Sequence, residues 1–154
     1  LSPSWKNQLI LLNFQVKTPF LMLINPSVVE SRMSRSVIKV PLTWITRNSW
    51  KTMFFGAIAS GVDLTGGWAG FLMAEKFPNI GILYKDMSIQ FKRRVDEDLH
   101  LVCADGDKIQ AACEEAVSTK QRVNVPIVVD GYCYGYSKEK PVVEAQLTLS
   151  IKEK

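Results

Sequence analysis

The clearest candidate for chemistry in this sequence is one carboxylate, Asp63, at the centre of the apolar stretch 56–74. Burial among apolar groups raises the pKa of a carboxyl group, which suits a general base that works near neutral pH. The same carboxylate could instead attack a substrate directly as a nucleophile. A purely structural interpretation is also open, in which Asp63 bonds to the main chain, to Ser60 or to Thr65.

The start of the helix predicted to carry Asp63 is a second candidate feature. The main-chain N–H groups of Phe55 and Gly56 lie in its first turn, where intrahelical acceptors are lacking, and could form an oxyanion hole. Phe54 and Asp63 are nine residues apart, which corresponds to about 13–14 Å of helix rise. One helix therefore cannot supply both groups to one reacting carbon, whereas two antiparallel helices in a homodimer could.

Polar and basic residues on either side of this helix could bind a ligand. Asn48 could bind a water or a substrate carbonyl, although asparagine before a helix is commonly a cap or turn residue. Lys92, Arg93 and Arg94 form a basic run whose side chains suit phosphate groups. The alternative for this run is a solvated strand end beside the three acids at 96–98.

The remaining histidine and aromatic residues have both structural and functional interpretations. His100 is the single histidine and alternates with Leu99 and Leu101, so it is expected to point away from the core, at the surface or an interface. Three tryptophans could line an apolar pocket or pack in the core or at a subunit contact: Trp44, Trp50 and Trp68. Three tyrosines form a stripe expected at a sheet edge or subunit contact: Tyr132, Tyr134 and Tyr136.

Length and composition restrict the class of protein. The chain has 154 residues, 47% of them hydrophobic and 22% charged, which indicates one folded domain rather than a disordered chain. Three cysteines without CxxC spacing argue against a disulfide framework or zinc site and favour a reducing compartment, so we expect a cytoplasmic protein.

Residues 1–54 carry seven basic and one acidic residue. This excess suggests an anionic partner or ligand but is too mild to indicate nucleic acid.

The apolar stretch 56–74 is not expected to span a membrane. Asp63 lies at its centre, and a central aspartate costs about 2.5–3.5 kcal/mol on insertion scales. Five of the nine glycines also lie in this stretch. A helix buried in the core of a folded domain explains the same composition.

The spacing of apolar residues and the residues typical of element ends predict the helices and strands that would position these residues. Four helices are expected: over 2–13, in a short piece ending near Asn25-Pro26, over 55–76 and over 107–118. In the first of these, Ser2 could cap the helix and Pro3 suits its first turn. Strands are expected over 37–42, 80–93, 98–104, 121–136 and 142–151, with a connecting loop over 43–54.

The predicted strands and the glycine-rich helix imply an α+β layer. Each strand after the helix has one apolar face and one mostly polar face, as in an antiparallel sheet covered on one side. An interior glycine costs a helix about 1 kcal/mol relative to alanine. The glycines of 55–76 are therefore expected to permit close approach of another backbone, at Gly61, Gly66 or Gly67.

The order of elements and one motif resemble the hotdog fold. The run Asn48-x5-Phe54-Phe55-Gly56-x6-Asp63 is similar to the pattern N-x5-H-G-G-x6-D of hotdog thioesterases of the phenylacetyl-CoA type. The stretch from Phe91 to Arg94, followed by the acids at 96–98, resembles that superfamily's F-x-R-P-x-x-x-G-D segment. The resemblance covers residues 28–152, and an uncharacterised thioesterase-like branch with an N-terminal helical extension is the nearest match.

The resemblance implies a fold, an activity and an assembly. The fold would be a curled antiparallel sheet around one long central helix, in a single domain 1–154 with N-terminal helices over 1–27 and a hotdog core over 28–152. The activity would be hydrolysis of an acyl-CoA or acyl-carrier thioester, with coenzyme A as part of the substrate and no separate cofactor or metal. Asp63 would act as base or nucleophile at the interface of a homodimer or dimer of dimers. Asn48, Phe55 and Gly56 would complete the catalytic site, and the run 92–94 would bind coenzyme A.

The sequence departs from the family pattern, and the departure at Phe54 supports a different function. Phe54 occupies the position of the family's histidine, and Phe55 that of the first glycine. The proline and glycine of the basic segment are also absent. A phenylalanine side chain can neither donate nor accept a hydrogen bond, so the alternative is a non-catalytic hotdog module that binds an acyl ligand or serves assembly.

Overall fold

A computed structural model describes residues 5–135 and 139–154 of the chain. Four helices and six strands lie within these residues. In chain order they are α1 (Trp5–Lys17), α2 (Phe20–Ile24), β1 (Ser27–Ser31), β2 (Ser36–Val40), α3 (Phe55–Lys76), β3 (Ile80–Phe91), β4 (Leu99–Cys103), α4 (Gly106–Thr119), β5 (Val123–Tyr132) and β6 (Val143–Glu153).

The described strands form one antiparallel sheet in the order β1-β2-β4-β5-β6-β3. One strand is predicted over 37–42, whereas the structure has two in this region. A tight turn, in which the N–H of Arg32 donates to the carbonyl of Arg35 at 2.8 Å, folds β1 back on β2. A bulge between Val28 and Glu30 interrupts the alternation of β1, which explains why its periodicity does not identify it as a strand.

The sheet curls around α3, which has the bounds predicted for it. Its Val62, Trp68 and Met73 are completely covered, as expected for a helix in the middle of a core. Although α3 has 22 residues, none of the helices among the described residues combines the length and apolarity needed to cross a membrane.

The glycines of α3 do permit close approach, but by side chains rather than by another backbone. A Cβ added at Gly61 would lie 2.6 Å from Leu101 Cδ1 and 2.7 Å from Val40 Cγ2. At Gly67 it would lie 2.8 Å from the hydroxyl of Tyr84. The expectation of backbone contact is therefore wrong, because the pleated sheet reaches the helix through its inward-facing side chains.

The two N-terminal helices pack at one side of this core. α1 covers Trp5–Lys17 instead of 2–13, and the predicted Ser2 cap and Pro3 lie outside the described residues. α2 ends at Ile24, and its C-cap Asn25 has a left-handed conformation (φ 45°), as the predicted end near Asn25-Pro26 implies.

The later elements follow their predicted patterns closely. α4 buries the four residues predicted to share one side: Ile109, Ala112, Cys113 and Ala116. In β5 and β6 buried and less buried residues largely alternate. The predicted α+β hotdog architecture, a curled antiparallel sheet around one long helix, is confirmed.

The edge strand β3 is the exception among these strands. Its predicted apolar face carries Met87 and Phe91, which are 37% and 54% exposed. Leu83 is 67% exposed. Since β3 has β6 on one side only, its free edge and these apolar side chains are available for contact with another molecule.

Candidate active site

Asp63 lies in the middle of α3 and lines a cavity of about 320 Å³, which we call the Asp63 cavity. The walls come from α1, α2, α3 and β3. Asp63 is exposed at the surface of the isolated chain. Its apolar neighbours still desolvate the carboxylate enough to raise its pKa, an effect that a hydrogen bond with Tyr84 partly offsets.

Tyr84 is the closest polar neighbour of Asp63. Its hydroxyl donates a hydrogen bond of 2.6 Å to the main-chain carbonyl of Asp63, and its interaction with the carboxylate lowers the carboxyl pKa. Burial, reinforced by the charge of Asp63, raises the pKa of Tyr84 above its ordinary value. The hydroxyl therefore stays protonated and remains a donor at every physiological pH.

Sequence reasoning missed Tyr84, although a signal was present. Apolar residues fall on even positions at Ile80, Ile82 and Tyr84, then on odd positions from Met87 onward. Such a change of parity indicates an extra residue in the strand, and the pairing of β3 with β6 does shift between Tyr84 and Asp86. The bulge lets both halves of one strand present apolar side chains to the same side of the sheet.

The structural partners considered for Asp63 are occupied elsewhere. Ser60 Oγ donates to the carbonyl of Gly56 at 2.8 Å, and Thr65 Oγ1 donates to the carbonyl of Gly61 at 2.7 Å. These are side-chain bonds within one helix turn. The interpretation of Asp63 as a partner of Ser60 or Thr65 is therefore wrong.

A second cavity of about 440 Å³ lies at the start of α3, and we call it the helix-start cavity. Five of the predicted site residues line it: Asn48, Phe55, Lys92, Arg93 and Arg94. Gly56 follows Phe55 in the helix but is not among the lining residues. Residues that are 37 to 46 positions from Asn48 and Phe55 in the sequence thus meet at one surface, as the family resemblance implies.

Asn48 organises the loop before α3. Its side-chain Oδ1 accepts hydrogen bonds from the N–H of Trp50 at 2.9 Å and from the N–H and hydroxyl of Thr52 at 3.2 and 3.1 Å. The turn role is therefore present. The side-chain amide N–H groups have no partner among the described residues, and they are the donors that a ligand in the cavity could use.

The helix start has the free donors expected of an oxyanion hole. The N–H of Phe54 donates to the main-chain carbonyl of Thr46 at 2.7 Å, and the N–H of Ala57 donates to the carbonyl of Phe54 at 2.9 Å. Within the described chain the N–H groups of Phe55 and Gly56 have no acceptor, because no side chain caps this helix. The ring of Phe54 packs so closely on Gly56 that a Cβ there would collide with it.

The basic run at the end of β3 is exposed. Lys92 forms an ion pair of 2.9 Å with Glu144 on the neighbouring β6. The main-chain N–H groups of Lys92 and Arg93 both donate to the carbonyl of Val142, at 2.9 and 3.2 Å, which fixes the course of the run along the cavity.

Neither cavity is lined by the three predicted tryptophans, by His100 or by Tyr132 and Tyr134. Trp44 and Trp50 are 78% and 80% exposed. Trp68 is completely buried and donates its indole N–H to Ser31 Oγ at 2.9 Å. A tryptophan-lined pocket is therefore wrong, since these side chains belong to the loop surface and to the core.

His100 lies on the face of β4 opposite Leu99 and Leu101, as predicted. Its ring packs against Tyr134, with centroids 4.5 Å apart, and partial burial together with the charge of Lys39 lowers its pKa. The rings of Tyr132 and Tyr134 are stacked with centroids 6.3 Å apart, whereas Tyr136 lies outside the described residues.

Among the residues that the structure describes, no cluster of three histidine, cysteine or acidic side chains could hold a metal ion.

Within one chain Asp63 and the helix start are not brought together. Asp63 lines one cavity, and Asn48 and Phe55 line the other. The separation along α3 anticipated from the helix rise is therefore present in the fold.

The chain matches a known domain family. The family model described as a domain of unknown function, DUF4442, matches residues 6–151. No curated protein matches the chain.

Three solved structures share the fold at low sequence identity. A protein of unknown function from Chlorobaculum tepidum has a TM-score of 0.82 at 14% identity, covering 100% of this chain and 98% of that one. A protein from Pseudomonas aeruginosa described as a probable thioesterase has 0.79 at 16%, covering 96% and 95%. A thioesterase family protein from Silicibacter pomeroyi has 0.68 at 11%, covering 94% and 96%.

Proposed function

This chain belongs to the DUF4442 domain family, and we propose that it hydrolyses acyl thioesters carried by coenzyme A or by an acyl-carrier protein. One observation carries the proposal: Asp63, with its raised carboxyl pKa, lies beside an apolar cavity on the central helix of a hotdog fold. Of the three structures named above, one is described as a probable thioesterase and one as a thioesterase family protein. The match of Asn48, Gly56 and Asp63 to the hotdog thioesterase motif points the same way.

Asp63 has two chemical routes in this proposal. As a general base it takes a proton from water while the water oxygen attacks the thioester carbonyl, and the C–S bond then breaks as the thiol leaves with a proton. As a nucleophile its carboxylate oxygen displaces the thiol, and water then hydrolyses the mixed anhydride. Both routes give one carboxylic acid and one thiol for each water consumed.

The oxyanion donors come from a second copy of the chain. Asp63 and the N–H groups of Phe55 and Gly56 are too far apart along one helix to serve the same carbonyl. A homodimer, or a dimer of dimers, with antiparallel α3 helices would place the Asp63 of one copy at the helix start of the other. The exposed apolar side chains Leu83, Met87 and Phe91 along the free edge of β3 favour such an assembly.

Coenzyme A would bind along the helix-start cavity. Lys92, Arg93 and Arg94 line it and carry the positive charge that phosphate groups prefer. Asn48 would donate its free amide N–H to the acyl carbonyl from the same cavity. This arrangement leaves the carbonyl between the donors and the Asp63 of the second copy.

A non-catalytic acyl-binding or assembly module is the second candidate, and Phe54 favours it. The family's histidine position is filled by an apolar ring that packs on Gly56 beside the proposed donors. In this case the two cavities would bind a ligand without hydrolysing it.

Steady-state hydrolysis of a panel of acyl-CoA thioesters distinguishes the two candidates. We expect turnover by the wild-type protein and its loss in Asp63→Asn, which keeps the shape of the side chain but removes the base. Asp107→Asn, an exposed aspartate on α4, is the matched control and should retain activity. Equal rates in Asp63→Asn and wild type would contradict the thioesterase proposal.

A further inference from the structure

The Asp63 cavity has few polar side chains, those of Thr18, Asp63 and Tyr84. Its walls are mainly apolar side chains of α1, α2, α3 and β3: Phe14, Leu21, Leu64, Phe71, Ile80 and Ile82. Asp63 is the one carboxylate among the lining residues, and the hydroxyl of Tyr84 lies beside it. A cavity of this kind suits a ligand with an apolar body and a polar group at one end.

Two glycines of α3 form part of the cavity wall. Gly67 and Gly70 line the cavity, and the side chains of Tyr84 and Ile82 on β3 pack against them, each 2.8 Å from where a Cβ would lie. Phe14 of α1 and Phe71 of α3 meet edge to face at one wall, with ring centroids 4.6 Å apart. The N-terminal helices thus contribute to the cavity as well as covering the core.

We infer that this cavity binds the hydrocarbon chain of the acyl group, and that α1 and α2 limit the length of chain accepted. The inference rests on the proposed function, since it takes the thioester carbonyl to lie beside Asp63. The volume of about 320 Å³ is roughly twice that of a 150 Å³ apolar cavity that holds benzene, a six-carbon ligand, and so corresponds to an acyl chain of about ten carbons. A medium-length saturated acyl chain is therefore the substrate class.

Ala74 offers a way to fill the cavity without overpacking the core. It lines the cavity yet is exposed, so Ala74→Phe adds a ring at the rim. Ala111→Phe is the matched control, because Ala111 is also an exposed helical alanine but lies on α4, outside the cavity. Circular dichroism and thermal melting of both variants establish that they fold.

Binding of 1-decanol, measured by calorimetry, tests the cavity without requiring hydrolysis. A neutral alcohol is preferred because Asp63 would repel the carboxylate of a fatty acid. We expect the wild type and Ala111→Phe to bind 1-decanol equally, and Ala74→Phe to bind it at least tenfold more weakly. No binding by the wild type, or equal binding by all three proteins, overturns the inference.

The acyl-chain profile then connects the cavity to catalysis. With butyryl, decanoyl and palmitoyl thioesters, the wild type should prefer decanoyl, and Ala74→Phe should shift the preference in kcat/KM towards butyryl. An unchanged profile in a folded Ala74→Phe, while Asp63→Asn is inactive, overturns the cavity assignment and leaves the thioesterase proposal intact. Binding of 1-decanol that Ala74→Phe abolishes, without hydrolysis of any thioester, supports the cavity and contradicts the thioesterase proposal.

Discussion

The hydroxyl of Tyr84, on the edge strand, donates a 2.6 Å hydrogen bond to the main-chain carbonyl of Asp63 on the central helix. The bond joins two of the four elements that border the Asp63 cavity, and it is available because the bulge in β3 turns Tyr84 towards the helix. Tyr84 thereby links the main chain of Asp63 to the edge strand.

Removing this hydroxyl should alter both stability and the pH profile. Tyr84→Phe should lower the free energy of unfolding by about 1 kcal/mol, the net value of a typical hydrogen bond. Because Tyr84 lowers the pKa of the Asp63 carboxyl group, its loss should move the acidic limb of kcat/KM to higher pH. Tyr134→Phe is the control, since Tyr134 packs on His100 away from the cavity. An unmoved acidic limb in Tyr84→Phe would argue against a positioning role.

Asp63 should favour activity and oppose stability over the same pH range. Its pKa is raised in the folded chain by burial, so the folded state binds the proton more tightly than the unfolded state does. Its contribution to stability is therefore greatest at low pH and is lost as pH rises through the raised folded pKa. At neutral pH Asp63→Asn should have a higher melting temperature than wild type. The difference should vanish below the ordinary pKa of aspartate, where the carboxyl group is protonated in both the folded and the unfolded state. Thermal melts across pH test this, and a lower melting temperature of Asp63→Asn at neutral pH would contradict it.

Two glycines of α3 should respond differently to alanine. At Gly61 a Cβ would lie 2.6 Å from Leu101 and 2.7 Å from Val40, so overpacking should destabilise the fold by about 1–3 kcal/mol. At Gly66 the nearest atoms, in Ile127 and Leu147, are 3.2 and 3.4 Å away. There the gain in helix propensity, about 1 kcal/mol, should offset the tighter packing. Chemical denaturation should therefore rank Gly66→Ala above Gly61→Ala, and the opposite order would contradict the packing argument.

An active site shared between subunits predicts complementation. Light scattering should show a dimer or tetramer at micromolar concentration. Asp63→Asn and Asn48→Ala should each lose most activity, but their mixture should recover part of it. Mixed dimers contain one site in which both residues are native, whereas a site within one chain would be defective in every subunit. A strict monomer, or no recovery after the subunits have exchanged, would contradict the shared site.

The basic run should affect binding of coenzyme A rather than the chemical step. Arg93→Ala and Arg94→Ala should raise KM for acyl-CoA without changing kcat, because they remove binding common to ground and transition states. The effect should weaken as salt rises, since these side chains are exposed. Neither variant should alter hydrolysis of a short acyl thioester that lacks the nucleotide. Lys152→Ala, at an exposed lysine, serves as the control.

Equal losses of activity on both substrates would assign the run to the fold. No loss on either would direct attention to the basic residues of the first third, namely Arg32, Arg35, Arg47 and Lys51.

The sequence by itself determined the elements whose burial is periodic. The bounds of α3 follow from its long apolar run, and the buried side of α4 from the spacing of Ile109, Ala112, Cys113 and Ala116. These two conclusions depend on local periodicity within one helix, which the order of residues records directly. That the basic run belongs to the same site as Asn48 and Phe55 was implied only by the family resemblance.

The tertiary structure alone decided which distant groups meet. Tyr84 and Asp63 are 21 residues apart and touch because a bulge shifts one strand. Trp68, within α3, is buried, and Trp44, in the loop before that helix, is exposed. β1 pairs with β2 despite its broken alternation. Periodicity specifies which face of an element is covered, but the identity of the covering side chain depends on strand order, register and bulges, which arise only when the whole sheet packs around α3.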